Sequence, residues 1–200
     1  VPRFPFIEEA LAEGANIAHL TIEADGTEWT VVSFKNAEGI FLLNGEDVYV
    51  TEASAEAVEA AIRTDPVTLP GLDDLELAGD IEIELPDISL STVLDSMTSG
   101  NREVLEAALN RGAVIERFWS GPDGGSLAPD ALLIVSFEND PNTYIFDNAG
   151  GTAERTGLDF GATRYAVDAG YEISDRATVR EIEVEANQMQ AEKVDNFISM

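Results

Sequence analysis

IEEALAEGANI, residues Ile7 to Ile17, returns as LEAALNRGAVI at Leu105 to Ile115. Gly14 and Gly112 lie 98 positions apart, and at the same spacing Glu8, Ala10, Leu11, Ala15 and Ile17 meet Glu106, Ala108, Leu109, Ala113 and Ile115. Asp25-Gly26 falls on Asp123-Gly124 in the same register. VVSFKN (Val31 to Asn36) then matches IVSFEN (Ile134 to Asn139), after five extra residues in the second copy, and with one more residue inserted Asn44 meets Asn148. Chance rarely produces several matches in one order, so the chain reads as an internal duplication.

The repeated phrase has a physical reading. Ile7, Ala10 and Leu11 share one face of a helix, as do Val104, Leu105, Ala108 and Leu109, and each pattern stops at a glycine. Glycine just past the last apolar residue takes positive φ without a Cβ penalty and ends a helix. Asn101 is placed to cap the second of these helices. Alternation then predicts a strand over Asn16 to Glu23, an Asp25-Gly26 hairpin turn, and a strand over Trp29 to Lys35. A shorter pair follows at Ile40 to Leu43 and Asp47 to Val50, and Ser54 caps a helix over Ala55 to Arg63 with Val58 and Ile62 inward. The second copy repeats this through Val114 to Trp119, Leu132 to Phe137 and Thr143 to Phe146, with a helix over Phe160 to Ala169. The fold class expected is α+β, with two related α-β-β-β(-α) modules, mostly antiparallel sheets and an acidic strand-like connector.

On this reading residues 1–64 are the first module, 65–98 the connector, 99–173 the second module and 174–200 a tail. In the connector, Leu75 and Leu77, then Ile81, Ile83 and Leu85, alternate with acids, the period-2 signature of a strand with one buried face. Pairing with a module's own sheet edge is expected before pairing with another molecule, because exposed edges are a liability. Two readings stand for the tail. REIEVEA (Arg180 to Ala186) is a strand followed by a helix over Ala186 to Ile198, or one helix runs from Ser174 onward.

Composition bounds the function. The 200 residues carry 39 acids and 11 bases, a formal net charge of −28, yet 44% are hydrophobic, enough for a real core. Such charge costs a compact state self-repulsion, which molar salt removes by cutting the Debye length to about 3 Å. Acid excess with only Lys35 and Lys193 as lysines points to a halophile's salt-rich cytoplasm, or to a particle assembled there. Direct nucleic-acid binding is not expected, because no basic cluster is present to neutralise phosphates. No apolar run reaches membrane-spanning length, so no membrane insertion is expected, and VPRFPF shows no signal-peptide pattern.

Without cysteine, disulfides, thiolate catalysis and zinc ribbons are excluded. His19 is the only histidine, lies on a strand, and meets Arg117 in the second copy, so it reads as structural. SGPDGGSLAPD (Ser120 to Asp130) and DNAGGT (Asp147 to Thr152) lack a phosphate-loop lysine and read as turns. No cofactor is expected, and no catalytic residue is assigned. The leading reading is a non-enzymatic interaction or assembly protein with a protein partner or self-association. Its alternatives are a carboxylate- or metal-dependent enzyme with a site between the modules, and an acidic DNA mimic. Function is expected where the copies differ. The candidate partner contacts are Trp119 and Asp123 beside and in the 120–130 loop, Ile81 and Ile83 on the acidic connector, and Phe197 in the tail.

Overall fold

A computed structural model describes residues 3–22, 29–85, 89–121 and 131–183. The chain falls into two compact units, Phe4–Leu85 in one and Pro86 onward, with Val1–Arg3, in the other. The first unit runs α1 (Pro5–Glu13), β1 (Ile17–Ile22), β2 (Trp29–Phe34), β3 (Ile40–Asn44), β4 (Asp47–Thr51), α2 (Ala55–Thr64) and β5 (Glu76–Leu77). The second runs α3 (Leu90–Asp95), α4 (Ser99–Asn110), β6 (Ile115–Ser120), β7 (Leu132–Phe137), β8 (Thr143–Asp147), β9 (Thr152–Thr156), α5 (Phe160–Ala169) and β10 (Ala177–Val179). Each unit holds one five-stranded antiparallel sheet, ordered β1-β2-β3-β4-β5 and β10-β9-β8-β7-β6. The protein is α+β, and its halves repeat one another.

The duplicated phrase folds the same way twice. Gly14 (φ 113°) and Gly112 (φ 102°) are both left-handed. The next residue turns back into the helix, Ala15 N–H to Ala10 C=O at 2.9 Å and Ala113 N–H to Ala108 C=O at 3.0 Å. Each first strand then carries an irregularity at the same place, between Ile17 and His19 and between Ile115 and Arg117. At Gly14 the Leu85 side chain occupies the space a Cβ would need, so two demands fix that glycine.

Alternation along the strands gives each sheet two apolar faces, and each face is covered by a helix. In the first unit Trp29, Val31 and Leu42 pack with Val58, Ala61 and Ile62 of α2. On the other face Phe41 meets Phe34 and Phe6 of α1, with centroids 5.9 and 5.3 Å apart. In the second unit Leu133, Val135 and Phe137 pack with Leu105 and Ala108 of α4, while Ile145 packs with Ala166 of α5 on the opposite face. Ser54 and Asp159 cap α2 and α5 identically, each accepting from the third helical N–H.

Several expectations are corrected. Asn101 does not cap α4; the helix starts at Ser99, and the Asn101 amide donates to the Asp147 carbonyl at 2.9 Å. The second module holds a fourth strand, β9, whose polar sequence TAERT hides it. Among the described residues of the connector only Glu76–Leu77 joins a sheet, pairing with β4. Leu75 packs into the α2 core, but Leu77 is 70% exposed, so the acidic alternation does not bury one continuous stripe. Ile81 to Leu85 join no ladder, and Ile81 and Ile83 are half-buried. In the tail, β10 is formed by Ala177–Val179, ahead of the expected REIEVEA, which rules out a helix running from Ser174 through this stretch. The expected helix over Ala186 to Ile198 and the Asp25-Gly26 turn lie outside the described residues.

The fifth strands belong to the duplication. Asp74 and Asp175 each fasten one to the strand beside it. Thr51 donates to Asp74 Oδ1 at 2.5 Å and Glu52 N–H to Oδ2 at 2.6 Å. Thr156 donates to Asp175 Oδ1 at 2.7 Å and Gly157 N–H to Oδ2 at 2.6 Å. The threonine hydroxyl first, and the backbone N–H next, hold both carboxyls below the ordinary aspartate range. A depressed folded pKa means that the clamps' contribution is complete above the unfolded value, about 3.9, and is lost as pH falls through the folded one. Thr51→Val and Thr156→Val are each expected to move the partner aspartate's titration upward, read from its side-chain carboxyl carbon by NMR. An unmoved midpoint would show that the clamp is not formed in solution.

Candidate functional site

Two places in the halves are built to a common plan and filled with different chemistry. The first is the contact between the opening strand and the second helix. In the first unit it holds His19 and Thr21 of β1 and Glu59 and Arg63 of α2. His19 Nε2 lies 2.8 Å from both Glu59 Oε1 and Thr21 Oγ1, and the Thr21 hydroxyl donates to the same Glu59 oxygen at 2.7 Å. Those bonds, Thr21's first and His19's second, hold the Glu59 carboxyl below the ordinary glutamate range. Nucleophilic relay requires the acid on one imidazole nitrogen and the hydroxyl on the other. Both oxygens here meet Nε2, so the cluster is a hydrogen-bonded tie between strand and helix. His19 is structural in this sense.

In the second unit Arg117, Trp119, Arg164 and Asp168 take those places. Trp119 pairs across with Ile134 as Thr21 pairs with Val31, and α5 repeats α2 with Arg164 where Glu59 stands. The Arg164 guanidinium lies 4.3 Å from the Trp119 ring centroid and 3.1 Å from Asp168 Oδ2. Burial lowers the Arg164 pKa, and Asp168 opposes that shift. Trp119 is 6% exposed and Arg164 only 1%. The indole therefore faces inward, roofed by a cation, and offers little surface to a partner in this chain alone.

The second place is a cleft at one end of each sheet, between the turn joining its second and third strands and the arm that follows its fifth. In the first unit the cleft is about 420 Å³ and is lined by Lys35, Asn36, Glu38, Phe41, Val50, Ala78, Asp80, Ile81, Glu82 and Glu84 among others. Asn36 holds the arm there, its side chain donating to the Glu84 carbonyl and its own carbonyl accepting from Glu84 N–H, both at 2.9 Å. In the second unit the cleft is about 620 Å³ and is lined by Glu138, Asn139, Asp140, Pro141, Tyr144, Arg155, Val179, Glu181 and Glu183 among others. Here Arg111 holds the arm, donating to the Ile182 carbonyl at 2.7 Å and pairing with Glu181 at 3.1 Å. The Tyr144 hydroxyl donates to Asp140 at 2.6 Å; burial first, then that carboxylate, pushes the phenol's pKa well above its ordinary value.

These linings correspond position for position. Phe41 and Tyr144 stand at the same point of β3 and β8, Val50 and Arg155 at the same point of β4 and β9, and Ala78 and Val179 at the same point of the arms. The arms also match in sequence, DIEIE at Asp80 to Glu84 against EIEVE at Glu181 to Glu185, 101 positions apart. That recurrence was the available signal for the site, and it lay in segments assigned to a connector and a tail.

Of the sequence-derived candidates, Ile81 lines the first cleft, Ile83 sits half-buried two residues further along the arm, and Trp119 lies in the β6–α5 contact. Asp123 and Phe197 lie outside the described residues. Among the described residues no group of three or more His, Asp or Glu is placed to hold a metal ion, and no helix is long and apolar enough to cross a membrane. No protein-family model, no curated protein and no solved structure matches the chain.

Proposed function

We propose that this chain is a non-enzymatic interaction protein of a salt-rich cytoplasm, or of a particle assembled there, and that it associates with its own kind through sheet edges. One observation carries the reading. The first sheet ends on β5 with no further strand among the described residues, and that edge shows Leu77 70% exposed. An edge strand presents unpaired backbone groups, and native chains blunt such edges or use them for pairing. A large exposed aliphatic side chain at that edge is apolar surface that pairing with a second copy would cover.

Static light scattering in about 2 M KCl, where charge repulsion is screened, tests this. The mass is expected to rise above the 21.5 kDa of one chain as concentration increases. Leu77→Lys is expected to weaken the association at least about tenfold, equivalent to ~1.4 kcal/mol. A mass fixed at one chain across the concentration range overturns the proposal.

A further inference from the structure

Among the described residues the two sheets end on corresponding strands, β5 and β10, whose side chains are largely exposed. The clamping aspartates, Asp74 and Asp175, set the correspondence at 101 positions. Along it Asp73 becomes Ser174, Leu75 becomes Arg176, Glu76 becomes Ala177, Leu77 becomes Thr178 and Gly79 becomes Arg180. On the strand beside, Val50 opposite Glu76 becomes Arg155 opposite Ala177. Every change of charge in this set runs toward positive. Residues 73–80 hold four acids and no base, and residues 174–181 hold two of each. Acid is general on this chain and locates nothing, but bases are scarce. Of 11 in all, Arg155, Arg176 and Arg180 stand on β9 or next to the ends of β10. Arg176 is held by Glu154 at 2.7 and 3.1 Å, whereas Arg180 is exposed and makes no ion pair among the described residues.

We propose that β10 is the surface that receives β5, so that the β5 edge of one chain adds to the β10 edge of a second copy, head to tail. The inference rests on the reading of the chain as self-associating and supplies the face that reading leaves open. Charge on a sheet edge discourages pairing, and like charges brought opposite one another destabilise it. Two β5 edges together would set four acids against four, with no base on either side. β5 against β10 sets those acids against Arg176 and Arg180 instead. The charge on the two edges therefore disfavours β5 with β5 and admits β5 with β10, while main-chain hydrogen bonds join the strands. Such a contact is heterologous. Each added chain brings one further β5 and one further β10, and assembly proceeds to a ring or a filament rather than stopping at a symmetric pair.

The test blocks one edge at a time in the full chain. Leu77→Lys alters β5, and Thr178→Glu with Arg180→Glu makes the β10 edge acidic; all three positions are exposed. Light scattering is done in about 1 M KCl, where a Debye length of about 3 Å screens the net repulsion but not charges in contact. Each variant alone is expected to associate at least about tenfold more weakly than the unaltered chain. Mixed in equal amounts, the two are expected to form one species of twice 21.5 kDa, because each supplies the edge the other lacks. The chain has no cysteine, so Leu77→Cys and Thr178→Cys chains, mixed and oxidised, give a second readout. A disulfide joining positions 77 and 178 is expected to predominate over one joining 77 to 77. A Thr178/Arg180 variant that associates like the unaltered chain, a mixture that restores nothing, or a predominant 77–77 disulfide each overturn the proposal. With any of these, association that Leu77→Lys still abolishes leaves the self-association reading standing on β5 alone. An unaltered chain that stays single at every concentration overturns both.

Discussion

Moving this protein from about 2 M to about 0.1 M KCl is expected to lower its melting temperature by roughly 10 °C or more. The cause is the net charge of −28, carried by a fold whose cations are too few to pair it. Dilution lengthens the Debye length from about 3 Å at 1 M to about 10 Å at 0.1 M, so carboxylates that ignore one another in brine repel across the surface. The ion pairs present, such as Arg102 with Glu106 and Asp95, or Arg176 with Glu154, are partly exposed and screened by solvent, so each contributes little. They cannot offset a repulsion summed over the chain. A few kcal/mol of lost stability corresponds to the stated shift for domains of this size. Calorimetric or circular-dichroism melts across the KCl series check it, and equal midpoints at both ends would remove the salt-adaptation reading.

Asp168→Ala is expected to destabilise the second unit by about 3 kcal/mol, measured by denaturant unfolding in molar KCl. Arg164 is 1% exposed, and Asp168 is the anion 3.1 Å from its guanidinium. Removing one partner of a buried pair leaves the other charged in a poor solvent, which costs more than the pair itself contributes. The double variant Arg164→Met with Asp168→Ala is therefore expected to recover much of the loss, since a methionine can still lie on the Trp119 ring. The corresponding change in the first unit, Glu59→Ala, is expected to cost only about 1 kcal/mol, because His19 and Arg63 are exposed enough to be hydrated when their anion is gone. Equal losses at the two sites would contradict the assigned burial.

The helix-stop glycines and the alternating aliphatic strands were legible in the sequence because each is fixed by local chemistry. Gly14 and Gly112 have to be left-handed, and VVSF and IVSF have to be buried on both faces. The cleft was harder to read for a physical reason. Its arms are held by single side chains, Asn36 in one unit and Arg111 in the other, and by the Thr51–Asp74 and Thr156–Asp175 clamps. None of these imposes a periodicity, and the two anchors are not even the same residue type. β9 escaped because a strand one ladder from the sheet's edge tolerates TAERT, with only Ala153 and Thr156 fully turned inward. Trp119 was singled out because it differs from Thr21, but a difference between copies marks repacking as readily as it marks binding.

Duplicated sequences carry a hazard during folding, since an element of one half can dock on the other half's sheet. The strand–helix contact is where the two halves differ in a way that bears on this. At equivalent turns α2 carries Glu59 then Arg63, and α5 carries Arg164 then Asp168, the reverse order of charge. Were α5 to settle on the first sheet, Arg164 would meet His19 and Thr21 and lose its indole. Were α2 to settle on the second, Glu59 would face Trp119, a ring whose negative face repels it. The order of charge on each helix thus suits the strand that it covers, in two halves that share a plan and few side chains.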